Sequence, residues 1–122
     1  MADAIQQRAG TAVLVCDPDG PAIATEQDAL DLIGATYAGA ETVAVPVTRL
    51  DERFFSLGTR FAGDIMQKFV NYRVRLAVVG DVSALTAASP ALAALVRESN
   101  AAAHVWFVPD LDALDARLRD AA

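Results

Sequence analysis

Hydrophobic and polar positions along the chain alternate between two periods. Short apolar runs (TAVLVC, TVAVPV, VRLAVVG and HVWFV) are spaced by longer stretches with helical periodicity. Thr11 to Cys16 reads as a strand. The Asp17-Pro18-Asp19-Gly20 turn and Pro21 to Ala24 then predict a hairpin onto a second, shorter strand. Thr25 and Asp28 form a capping-box pattern. Leu30, Ile33 and Tyr37 behind it predict the inward face of a helix. Thr42 to Val47 is a third strand, apolar enough to be covered on both faces. Arg49 to Tyr72 carries a second helical region with Phe61, Ile65, Phe69 and Tyr72 on one stripe. Val74 to Gly80 is the fourth strand, and Asp81 to Ser89 a loop. Ser89-Pro90 starts the next helix, with Leu92, Leu95 and Val96 facing inward. His104 to Val108 is the fifth strand. Asp110 caps a last helix with Leu111, Leu114 and Leu118 inward.

The order β-β-α-β-α-β-α-β-α predicts an α/β fold: one mixed, mostly parallel five-stranded sheet, with the third and fourth strands central. Residues 1–122 are expected to form one domain, with residues 1–10 as a flexible tail. Of 122 residues, 54% are hydrophobic and 21% charged, enough for one filled core. No apolar run approaches the roughly 20 residues that span a bilayer, and no secretory leader is visible, so a membrane role is not expected. One cysteine, Cys16, excludes an internal disulfide, and a cytoplasmic, reducing setting follows.

Charge narrows the partners. The total is −6, against nucleic-acid binding. Its distribution is uneven. Arg49 to Arg75 holds six basic and three acidic side chains, a net of +3 against −9 for the remainder. That polarity suits an acidic partner or an anionic ligand.

Catalytic signatures are missing. No GxGxxG, P-loop, GxSxG or HExxH is present, and His104 is the only histidine. Neither a metal nor another cofactor is therefore expected, and no catalytic residue is assigned. Three features remain. Arg60, Asp64 and Lys68 at i, i+4, i+8 predict charges paired along a helix, each pair contributing about 0.2–0.5 kcal/mol. With Gln67 and Asn71 they make a polar stripe beside aromatics, a mixture that suits a protein-binding surface. Gly80-Asp81-Val82-Ser83 follows the fourth strand at its carboxyl end, where ligand crevices open in α/β sheets; Asp81 and Ser83 offer hydrogen bonds there, with Arg49 as an anion anchor. Phe54-Phe55 cannot both face one core, which leaves one ring half-exposed for a partner.

The stretches EQDALDLIG, VAVPVTRLDERFFSLGTRFAGDIMQKFVNYRVRLAVVGDVSA, VRESN and VWFVPDLDAL resemble the bacterial family described as domain of unknown function 4180. QKFVNYRVRLAVVGD is their most specific part. The resemblance implies a small bacterial protein and no activity. The predicted topology is also similar to the sulfate-transporter and anti-sigma-antagonist (STAS) fold, whose members commonly act as binding switches, some through a phosphorylated serine. Ser56 and Thr59 lie in that region, but Asp51 is followed by Glu52 where the switch would need Asp-Ser. The expected function is a non-enzymatic regulatory or interaction module with a protein partner or a second copy of itself. The alternative is a small-ligand binder, or a weak enzyme, using the loop after the fourth strand.

Overall fold

The computed structural model describes residues 3–121. Five strands form one sheet in the order β1-β2-β3-β4-β5. They are β1 (Ala4–Arg8), β2 (Thr11–Val15), β3 (Thr42–Pro46), β4 (Arg75–Val79) and β5 (Val105–Val108). β1 is antiparallel to β2, and every other neighbouring pair is parallel. Among the described residues five α-helices accompany them: α1 (Glu26–Ala35), α2 (Phe61–Asn71), α3 (Ser83–Ala88), α4 (Pro90–Ala101) and α5 (Leu111–Ala121). This is the expected mixed, mostly parallel α/β sheet, with β3 and β4 inside it.

The opening hairpin lies elsewhere than expected. Of the predicted tail, Met1 and Ala2 fall outside the described residues, while Ala4–Arg8 is the edge strand. Arg8 and Thr11 are register partners closed by Ala9 (φ 52°) and Gly10 (φ 80°). Two successive positive φ angles are what a type I′ two-residue hairpin requires. Almost all of β1 is exposed, so no apolar alternation betrayed it in AIQQR. Pro21 to Ala24, the predicted second strand, makes only one parallel bridge, Ile23 to Leu50. The Asp17–Gly20 turn does form, with the Gly20 amide donating to the Asp17 carbonyl.

Side-chain parity sorts the sheet into two faces. Leu14, Val43, Val45, Leu76, Val78, Val105 and Phe107 face the larger core, with residues of α1 and α2 packed onto them and Val96 of α4 at its margin. Val13, Ala44, Ala77, Trp106 and Val108 face the other way, against Leu114 and Leu118 of α5. α1 carries the expected capping box and turns Ala29, Leu32 and Ile33 inward. Tyr37, predicted inward, is 76% exposed, because the helix gives way to a 3-10 turn at Thr36 and the periodicity lapses. Tyr72 is likewise exposed just beyond α2. The predicted loop after β4 contains α3, one short helix more than expected.

Candidate functional site

The predicted stripe on α2 is split between two neighbours. Phe61, Ala62, Ile65 and Phe69 bury the inner side of the helix and fix which residues face out. Lys68 Nζ lies 3.3 Å from Glu26 Oε1 on α1, rather than pairing with Asp64. Arg60 precedes the helix with φ 63°, and its carbonyl accepts the Asp64 amide. Gln67 Nε2 donates to Asn71 Oδ1 at 2.8 Å. Gln67 also borders a 310 Å³ groove whose apolar lining includes Met66 and Val70 from α2 and Leu95 from α4.

The loop after β4 lines a separate 240 Å³ cavity that holds Asp81 and Ser83. Both groups are already engaged in the loop itself. Asp81 Oδ1 accepts the Ser83 amide at 2.9 Å, and Thr86 Oγ1 donates to the Ser83 carbonyl. Hydrogen bonding from the Ser83 side chain and amide holds the Asp81 carboxyl below its usual range. Gly80 has φ 146°, and a Cβ there would stand 2.7 Å from Val47 Cγ2. Close packing therefore accounts for the glycine without a ligand. The seven predicted site residues do not converge: Gln67 lines the first cavity, Asp81 and Ser83 the second, and Arg60, Asp64, Lys68 and Asn71 line neither.

Arg49 is not an available anion anchor. It is 4% exposed, with Nη1 2.7 Å from Asp3 Oδ1 and Nε donating to the Pro21 carbonyl. This guanidinium passes close over Gly20, where a Cβ would lie 2.8 Å from Arg49 Cζ. Cys16 sits beside the same ion pair. Burial, and then the Asp3 carboxylate, push its thiol up to about 12, which removes the thiolate that reactivity needs. Phe54 is fully buried and Phe55 half-buried at its edge, with ring centroids 5.3 Å apart. Thr59 Oγ1 donates locally to the Arg53 and Ser56 carbonyls.

A third cavity was not foreseen. It measures 460 Å³ and opens at the amino ends of β3, β4 and β5, lined by Glu41, Thr42, Arg73, Arg75, Ala103 and His104. Arg75 and Thr42 are register partners, so their side chains leave the sheet on the same side. The Arg75 guanidinium stacks 4.2 Å from the Trp106 ring centroid, and Arg117 stacks on the same ring at 4.3 Å. Burial lowers the proton affinity of Arg75; Glu41 raises it through space, and Arg117 lowers it further. Thr42 is closed off from solvent, and its Oγ1 has no hydrogen-bond partner among the described residues. Arg73 and Arg75 flank Val74 in sequence, a spacing that any strand entry could show. Nothing local signalled the indole beneath Arg75, which arrives from β5.

A family model described as a domain of unknown function, DUF4180, matches residues 8–118. The chain belongs to the DUF4180 family. No curated protein and no solved structure matches this DUF4180 chain. Among its described residues, no three His, Cys, Asp or Glu side chains stand where they could hold a metal ion. No described helix of the DUF4180 chain is long and apolar enough to cross a membrane.

Proposed function

We propose that the protein is a non-enzymatic regulatory or protein-interaction module, STAS-like in its chain order and working in the bacterial cytoplasm. Its contact surface is the outer side of α2 with the groove toward α4. The observation that carries this reading is the 310 Å³ groove, in which Met66, Val70 and Leu95 present apolar surface beside the Gln67–Asn71 hydrogen bond. An apolar floor with a hydrogen-bonding rim is the anatomy of a protein contact. The occupant is a protein segment that lays an apolar side chain between the helices and presents hydrogen-bonding groups to Gln67. Of the basic side chains from Arg49 to Arg75, Arg49 is buried against Asp3, while the exposed Arg60 and Arg73 favour an acidic segment; the overall charge of −6 favours protein over nucleic acid.

Native mass spectrometry of tagged protein, gently purified from its own host, tests this. Wild type is expected to carry a second protein or a second copy of the chain. Met66→Arg in the groove and Arg60→Glu at the start of α2 should each remove that mass while leaving the circular-dichroism spectrum unchanged. A complex that survives both changes, or a bare monomer even after cross-linking in cells, refutes the reading.

A second reading, small-ligand binding at the loop after β4, is favoured by the position of Asp81 and Ser83 on a cavity at the carboxyl ends of β4 and β5. A metabolite that raises Tm in wild type and not in Asp81→Ala supports it. A flat response across a broad library counts against it.

A further inference from the structure

The geometry points to an oxyanion site, for a carboxylate or a phosphate, in the cleft at the amino ends of the strands, held between Arg73 and Arg75. Three observations carry it. The first is the preparation of Arg75. Its Nε donates to the Ala103 carbonyl at 3.0 Å, and its Cζ lies over the Trp106 ring, 4.2 Å from the centroid. The guanidinium is thus held at Nε and over the ring, while its Nη groups have no hydrogen-bond or ion-pair partner among the described residues. A guanidinium presenting a free, oriented pair of N–H groups matches a carboxylate or phosphate edge.

The second is the backbone of Arg73. The Arg73 amide donates to the Val70 carbonyl and the Val74 amide to the Phe69 carbonyl. That is a Schellman ending to α2, with Arg73 at φ 58° in the position that glycine normally occupies. The fold therefore holds a long cationic side chain where glycine would sit without strain, and the side chain lines the cleft. Backbone strain of this kind gathers where a side chain is needed for binding.

The third is the charge balance. Arg75 and Arg117 share one indole ring, two like charges on one platform. Glu41, which lines the same cleft, acts on Arg75 through space but forms no ion pair with it among the described residues. A bound anion would supply the missing direct counter-charge. His104 lines both this cleft and the α2–α4 groove, so the oxyanion belongs either to a free metabolite or to an acidic segment seated in that groove.

Titration of the isotopically labelled chain, followed by amide shifts, distinguishes these sources. The probes are inorganic phosphate, citrate and N-acetyl-Leu-Glu, each against sodium chloride at matched ionic strength to remove screening. Saturable shifts centred on Arg73, Arg75 and Ala103, at about millimolar Kd or tighter, are expected for at least one probe. Saturation by phosphate or citrate assigns a free anion; saturation by the peptide alone assigns a carried carboxylate. Arg75→Gln and Arg73→Gly should each weaken binding roughly tenfold or more, consistent with loss of a charge-assisted pair. Glu41→Gln should tighten it several-fold. Arg73→Gly should at the same time raise Tm by roughly 2–5 °C, because it releases the left-handed strain. That opposite movement of stability and affinity is not what a structural arginine would give. Shifts no larger than those in sodium chloride for all three probes overturn the site, as does unchanged affinity in both arginine variants.

Discussion

Replacing Gly80 by alanine isolates the reason for the glycine at the end of β4. At φ 146° the backbone is in a region that L side chains rarely enter, which costs of order 1–3 kcal/mol. The added Cβ would stand 2.7 Å from Val47 Cγ2 and 3.0 Å from Val47 Cβ, so something must shift. Overpacking of this kind adds about 1–3 kcal/mol. Gly80→Ala should therefore destabilise by roughly 2–6 kcal/mol, a large share of the 5–15 kcal/mol typical of a domain. Urea unfolding followed by far-ultraviolet circular dichroism measures it. Val47→Ala removes the methyl group nearest the added carbon. The double variant should consequently lose about 1 kcal/mol less than the two single losses together. The remaining loss combines the backbone part with the close approach to the Val47 Cβ, which trimming Val47 to alanine does not remove. A single-variant loss below about 0.5 kcal/mol, or strict additivity in the double variant, refutes the packing account and returns Gly80 to consideration as a ligand-contact glycine.

Two further outcomes follow from groups buried in the sheet. The Cys16 thiol, pushed up to about 12 from 9.0, stays neutral in the folded chain while the unfolded chain ionises above pH 9. Stability is therefore unaffected at neutral pH and lost as pH rises between about 9 and 12, by roughly 1.4 kcal/mol per unit. Cys16→Ala should flatten that part of the pH profile; an equal slope in both proteins refutes it. Thr42→Val replaces an unpartnered buried hydroxyl by a methyl group of similar size, and should stabilise by about 1 kcal/mol in the same urea assay. A loss of stability would show that the hydroxyl is hydrogen-bonded.

The legibility of this chain tracks how much of each element is buried. β3 and β4 are covered on both faces, and their apolar runs stood out without any alignment. The caps at Thr25, Ser89 and Asp110 were readable because each uses a local hydrogen bond within three residues. β1 was not, since an exposed edge strand has no apolar face to display, and Ala9-Gly10 is a weaker hairpin signal than Asn-Gly. Arg49 illustrates the same limit in the site. Its sequence neighbours placed it in a basic stretch, but its role is set by Asp3, 46 residues away. The basic cleft combines Glu41, Arg75 and His104 from three strand entries, a juxtaposition that only the sheet register creates.

The two faces of the sheet differ in how they can open. Helices from several crossovers interlock over one face, whereas α5 alone closes the other, tied at its middle by Asp115 to Arg8 of the edge strand. Lifting α5 would break few contacts outside its own seam, so it should behave as a separate unit of native-state hydrogen exchange, opening at lower free energy than α1 or α2. The chain's single tryptophan lies under that seam. Trp106 is thus a built-in reporter: its emission should respond to the lifting of α5 while the opposite core is still intact, and denaturant curves read by fluorescence should run ahead of those read by far-ultraviolet circular dichroism.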